Sequence, residues 1–227
     1  MITINNVKKD YADGDVVVNA LRGVSLDIAP GEFVSIAGPS GSGKTTLLNL
    51  IGCIDTIDGG DISIEGESLA KKTKKELSAI RRAKLGFVFQ NFNLIPVLTA
   101  YENVALALSI QGKPDDAIHE QVMKILEEVG LKGMEDRRPA KLSGGQQQRV
   151  AVARALIKEP SIVLADEPTA NLDSATGESV LELMRELNKK MGTTFIFSTH
   201  DKMVMDFAGR LVMLHDGMIE SDERRAA

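Results

Sequence analysis

Gly38, Pro39, Ser40, Gly41, Ser42, Gly43, Lys44 and Thr45 read GPSGSGKT, a full match to the glycine-rich phosphate-loop pattern. Glycines at this spacing let the backbone curl until successive N–H groups face one concavity, which is an anion site. A helix opening at the end of the loop adds the positive end of its dipole, about 0.3–1 kcal/mol per anion at a surface and more when partly buried. Lys44 has the reach for the β- and γ-phosphates of a nucleoside triphosphate, and the Thr45 hydroxyl suits magnesium. A Gly/Ser linker is the plain alternative. The apolar run before the loop (EFVSIA) and the helical run after it (TTLLNLI, with Thr46 in its first turn) argue against that reading.

Two further segments carry chemistry. The apolar run Ser161 to Ala165 ends in Asp166-Glu167-Pro168. An aspartate at the carboxyl end of a parallel strand is what a magnesium-side motif needs, and Glu167, on the other side of the chain, is placed to polarise a water. Taken alone, the segment also fits an ordinary charged turn. Leu142 to Arg149 reads LSGGQQQR and precedes VAVARAL, which has helical period. Ser143, Gly144 and Gly145 therefore sit at a helix start and make a second anion cradle. Ser143 as a simple N-cap is the alternative, and it leaves the two glycines and three glutamines unexplained.

These residues need elements to hold them. The first 37 residues read as strands broken at Asp13-Gly14 and Pro30-Gly31. From Asn91 to Lys158 the period is helical, over Thr99 to Ile110 and Pro114 to Val129, with Ile118, Val122, Ile125, Leu126 and Val129 on one face of the second. Then come strand 161–165, helix 175–190, strand 194–198 and strand 210–214, with Asp216-Gly217 as a hairpin turn. The tail from Glu220 is polar and is expected to fray. The pattern is an α/β core interrupted by a helical insertion.

Composition excludes several classes. With 227 residues, 43% apolar and 26% charged, the chain suits one folded domain rather than a disordered segment. A net charge of −5 argues against a nucleic-acid partner, and the single cysteine, Cys53, sets no disulfide framework. The amino terminus lacks the apolar core of a signal peptide. The uncharged stretch Gly86 to Tyr101 contains Gln90, Asn91, Asn93 and Pro96 and falls short of the ~20 apolar residues of a membrane span.

LSGGQ at 142–146 resembles the signature of ATP-binding-cassette (ABC) ATPases, and the other cassette motifs stand in that family's order. GPSGSGKT resembles its Walker A loop, SIVLADE its Walker B strand with the following glutamate, and Gln90 in FVFQNFN its Q-loop. Ala170 to Asp173 (ANLD) resembles the D-loop, His200 in FSTHD the switch histidine, and Tyr11 the aromatic on which adenine stacks. The likeness runs end to end. It implies a phosphate-loop NTPase fold with a RecA-like core, an antiparallel β subdomain and a helical subdomain. That makes a single domain over 1–227, with roughly 91–158 as the helical part and 1–90 and 159–227 as the rest.

The resemblance also implies ATP and Mg2+ as cofactors and a head-to-tail homodimer formed on ATP binding. ATP would lie between Tyr11 and residues 38–46 of one chain and Ser143, Gly144, Gly145, Gln146 and Asp173 of the other. Glu167 would be the general base, His200 and Lys44 would act at the γ-phosphate, and Thr45, Gln90 and Asp166 would serve the metal. A permease would dock near Gln90 to Tyr101, holding the cassette on the cytoplasmic face of the cell membrane. The wording of IGCID, FVFQNFNLIPVLTAYENV and ADEPTANLD is close to the macrolide-export and lipoprotein-release branch. The competing functions are a cassette that regulates a membrane partner without transport, and a soluble cassette acting on DNA or the ribosome. The transported substrate is not legible.

Overall fold

Strands buried on both faces read as unbroken apolar runs, and strands with one wet face alternate. The computed structural model, which describes residues 2–14 and 16–225, contains both kinds. The residues divide into two compact units, one made of the chain up to Arg82 together with the chain from Thr194 on, the other of Ala83–Thr193.

In the first unit, β1 (Ile2–Asp13) pairs antiparallel with β2 (Val16–Ile28) on one edge and β4 (Gly59–Ile64) on the other, and β5 (Glu67–Ser68) adds to β4. Ile2, Ile4, Leu26, Ile28, Ile62 and Ile64 are its buried face. A separate parallel set is built around β3 (Phe33–Ala37), buried at every position, as is β8 (Thr194–Thr199). These two run in register from Phe33↔Phe195 to Ala37↔Thr199, and β9 (Arg210–His215) lies along the other edge of β3 from Val34↔Arg210 to Ala37↔Met213. The Phe33 ring lies 4.5 Å from Phe197 and 5.6 Å from Phe195. Helices α1 (Lys44–Ile51) and α7 (Lys202–Phe207) follow β3 and β8, and α2 (Lys74–Lys84) carries the chain onward to the second unit.

The Asp216-Gly217 hairpin forms as expected, with φ of 45° and 75°, the two positive values a type I′ turn requires. The tail differs from its expectation. Strand β10 (Met218–Arg224) stays paired with β9 to Arg224↔Arg210, while Ala226 and Ala227 lie outside the described residues. The cause is electrostatic. Arg210, 8% exposed, donates to both carboxylate oxygens of Asp222 (2.8 and 2.7 Å), to Glu32 (2.8 Å) and to the Asp27 carbonyl (2.8 Å). A planar guanidinium fork engaged in this way specifies its partners.

That network sets an acid dependence. The hydrogen bonds from Arg210 hold the Asp222 carboxyl below the usual carboxylate range. A depressed folded-state pKa contributes stability above the ordinary value, about pH 4, and that contribution disappears as pH falls through the lowered one. Asp222→Asn should lower stability at pH 7 by about 1 kcal/mol, a bidentate pair discounted for its partial exposure. The gap between the urea midpoints of variant and parent should shrink as pH falls below about 4, and a gap unchanged by acid would show that Asp222 acts by packing.

In the second unit, β6 (Leu85–Phe89) and β7 (Ile162–Asp166) run parallel from Leu85↔Ile162 to Phe89↔Asp166. The helices are α3 (Ala100–Ser109), α4 (Asp115–Glu128), α5 (Gly144–Leu156) and α6 (Ser174–Met191), with a short 3-10 turn at Pro139–Lys141. Ile118, Val122, Ile125 and Leu126 are the buried stripe of α4, as their spacing requires. Helix α5 packs on β6, α3 and α6. It lies so close to β6 that a Cβ on Gly86 would come 2.6 Å from the Ala155 carbonyl oxygen.

Candidate nucleotide site

The phosphate loop follows the carboxyl end of β3. A Cβ on Gly38, at φ 151°, would fall 2.0 Å from the carbonyl oxygen of Leu214 on β9, and one on Gly43, at φ 101°, would fall 2.6 Å from the Ala20 carbonyl. Neighbouring backbone therefore covers both ends of the loop, and only glycine fits there. Lys44, 7% exposed, curls back and donates to the carbonyls of Gly38 (2.8 Å) and Pro39 (2.9 Å). Among the described residues no side chain caps α1 and its first turn holds no acid, whereas Thr99, Ser143, Asp173 and Asp201 cap α3, α5, α6 and α7. The amino end of α1 thus presents the positive end of its dipole at the loop with no acidic side chain to offset it, which favours an anion there. Pro39, Ser40, Gly41 and Thr45 are exposed on the same loop.

Two more expected residues share this unit. His200 leaves β8 at the edge where Gly38 leaves β3, because Ala37 and Thr199 are in register, and it is exposed. Tyr11, 39% exposed, stands near the end of β1.

The second unit holds the remaining motifs. Gln90 and Asp166 stand at the carboxyl ends of adjacent parallel strands, since Phe89 faces Asp166 in register. Glu167 sits at φ 46°, a left-handed conformation that costs a non-glycine residue about 1–2 kcal/mol. The Asn171 amide donates to the Gln90 carbonyl (3.1 Å) and to Asn91 Oδ1 (2.8 Å), which ties the segment after β7 to the segment after β6. At the start of α5 the plain reading of Ser143 proves correct in part. Its hydroxyl accepts from Gln146 N (3.3 Å) while Gln146 Oε1 accepts from Ser143 N (3.0 Å), a capping box. Gly145 has a packing reason as well, because a Cβ there would lie 2.4 Å from Thr176 Cγ2. Within the uncharged run, Ile95 is 38% and Val97 69% exposed.

Residues 21–170 match the family model described as ABC transporter. The chain belongs to the ABC transporter family. It is 47% identical, over 99% of its length and 97% of the other's, to the uncharacterized ABC transporter ATP-binding protein MJ0796 of Methanocaldococcus jannaschii. It is 46% identical over 98% of its length to the macrolide export ATP-binding/permease protein MacB of Syntrophobacter fumaroxidans, of which it spans 31%. Among solved structures it superposes at TM-score 0.91, with 44% identity and full coverage of both chains, on a dimeric post-hydrolysis state of the MJ0796 cassette bound to ADP and Pi. It also superposes at TM-score 0.89, with 28% identity, on cbiO1 of Clostridium perfringens, part of the transporter complex cbiONQ, covering 98% of this chain and 88% of that one. The fold is that of an ABC ATPase cassette, an ATP-binding and ATP-hydrolysing subunit.

Several residues that support the cassette motifs escape a sequence reading. Arg154 in α5 donates to the Phe92 carbonyl (2.7 Å) and the Asn93 carbonyl (2.5 Å), two residues at positive φ. Asn103, 1% exposed, accepts from Ile95 N (2.8 Å) and donates to the carbonyls of Ile95, Leu98 and Thr99. Gln148, fully buried, donates to the Pro168 carbonyl. Each serves backbone carbonyls, so no pattern of residue types announces it.

Proposed function

We propose that this cassette powers a membrane export or lipoprotein-release system, working as an ATP-closed homodimer beneath permease subunits. The observation that carries the reading is the uncapped, glycine-built loop 38–43 in a chain that also has an acidic strand end and a helix-start signature. Gly38 to Thr46 hold the triphosphate and Tyr11 the adenine. Ser143, Gly144, Gly145, Gln146 and Asp173 of a second copy face the same nucleotide. Ser143 and Asp173 are both exposed. A site split between two chains makes hydrolysis conditional on closure.

The donor set fits magnesium. Among the described residues no group of three His, Cys, Asp or Glu forms a cage, and magnesium is ordinarily held by one or two carboxylates, substrate phosphates and waters. Thr45, Gln90 and Asp166 supply the hydroxyl, amide and carboxylate oxygens suited to that mode. When bound, the ion neutralises phosphate charge. Glu167 takes the proton of the attacking water, Lys44 and the loop N–H groups hold the phosphates, and His200 hydrogen-bonds the γ-phosphate. No single group removes the ~8 kcal/mol or more typical of enzymes, so positioning and charge stabilisation share it.

Among the described residues no helix is long and apolar enough to cross a membrane. The permease holds the cassette at the cytoplasmic face, through the exposed apolar segment within Gln90 to Tyr101. Val97→Asp should weaken binding to detergent-solubilised permease by about tenfold or more, as truncating or charging an apolar anchor does, while ATP binding is the control. Full permease binding by this variant would move the docking surface elsewhere.

A further inference from the structure

We infer that Asp55 is a positioning residue for the nucleotide base: it fixes the Tyr11 ring from the hydroxyl end, so that the ring is a preset platform rather than a swinging one. The inference deepens the reading in which Tyr11 stacks on adenine and rests on it. Tyr11 Oη donates to Asp55 Oδ2 at 2.8 Å. Asp55 is itself held, because Lys9 donates to Asp55 Oδ1 (3.2 Å), to the Thr56 carbonyl (2.8 Å) and to Asp58 (3.4 Å), and Thr56 N donates to Asp55 Oδ1 (2.7 Å). Lys9 is 6% exposed, an ammonium buried and committed to this one loop, and its Nζ lies 5.2 Å from the centroid of the Tyr11 ring.

The ring is thus restrained at its hydroxyl by Asp55 and faced by a buried cation, yet it stays 39% exposed, as a stacking platform requires. Directly across the β1–β2 pair stands Val18, 53% exposed, which widens the apolar surface beside the ring. Cross-strand neighbours share a face and a ring restrained before binding loses less freedom when a base arrives. Stacking on an aromatic side chain is tolerant of base identity, so the tether governs affinity more than choice of base. The hydroxyl also reports its surroundings. Burial, with the Asp55 carboxylate beside it, pushes the Tyr11 phenol above its ordinary range, against smaller opposing effects of Thr46 and Lys9.

The test uses the full chain in magnesium-free buffer, where hydrolysis does not intervene, with ATP and inorganic tripolyphosphate as separate probes in calorimetry. Tyr11→Ala should weaken ATP roughly 5- to 100-fold. Asp55→Ala, and Tyr11→Phe, which keeps the ring and removes only the tether, should each weaken ATP roughly 3- to 10-fold. The double variant should be no worse than either single, the signature of one shared interaction. Tripolyphosphate affinity should be unchanged throughout, since it lacks a base. In a Tyr101→Phe background Tyr11 is the only tyrosine, and its ultraviolet titration should move down when Asp55 is removed. ATP affinity at the parent value in Asp55→Ala and Tyr11→Phe, with Tyr11→Ala weakened, overturns the inference and leaves the stacking reading standing. Equal loss for tripolyphosphate overturns it too, since Asp55 would then act by shaping the phosphate loop. Parent affinity in Tyr11→Ala overturns the stacking reading and the inference with it.

Discussion

Replacing Glu167 with Gln should reduce steady ATP hydrolysis by about 10²–10⁴-fold while leaving ATP binding intact, the range a positioned general base supplies. On the barrier that is about 3–5 kcal/mol. The substitution separates chemistry from folding unusually well. Glu167 sits at φ 46° immediately after β7, and Gln, with the same branching, meets the same conformational cost. Its amide keeps the shape of the carboxylate and cannot take a proton at neutral pH, so the nucleotide still binds and the water is no longer activated. If closure of the homodimer needs ATP and reopening needs its hydrolysis, the variant should accumulate as a dimer on adding ATP, visible as a doubled mass by light scattering. Turnover at the parent rate would remove Glu167 from the base role. Loss of turnover without a dimer would keep the base and detach hydrolysis from reopening.

Much of the fold around the candidate site could be read in the sequence because local signals are strongest there. The runs that become β3, β7 and β8 are buried and largely apolar, and each leads into a residue for which a chemical task is proposed, Gly38, Asp166 or His200. A parallel strand buried on both faces and stopped by a polar turn is hard to mistake. Residues 59–84 were not legible for the opposite reason. Strand β4 shows only Ile62 and Ile64 as buried apolar residues, and it is a strand because Ile4 and Ile2 pair with them from far away in sequence. Helix α2 buries only Leu77 and Ile80 within a heavily charged stretch, too short a stripe to show a period. The tail at 220–224 is ordered by a buried guanidinium whose partners are distant, a fact no window of sequence contains. Gly145 teaches a different lesson. Read alone it suggests an anion cradle, and the structure adds that Thr176 leaves no room for a side chain, so one residue can satisfy packing and chemistry together.

Glycine positions in the phosphate loop provide the sharpest contrast between those two demands. Gly38→Ala should lower stability by about 2–6 kcal/mol and weaken ATP binding by two orders of magnitude or more. Two penalties combine. At φ 151° a side chain is strained, about 1–3 kcal/mol. The new Cβ would also stand 2.0 Å from the Leu214 carbonyl oxygen and 2.9 Å from Ser42 Oγ, an overpacking that costs another 1–3 kcal/mol. Neither neighbour yields easily, because Leu214 belongs to β9, which is registered against β3 at Ala37↔Met213. Relief must come from displacing the loop, which destroys the concavity that its N–H groups form. Gly41→Ala is the matched control. Its φ of 80° carries the conformational penalty of about 1–2 kcal/mol, yet nothing lies within 4 Å of its Cβ. The two variants should therefore differ in urea midpoint chiefly by the steric part. Equal midpoints would mean that β9 does not roof the loop, and the glycine at position 38 would then be needed for the nucleotide and not for the fold.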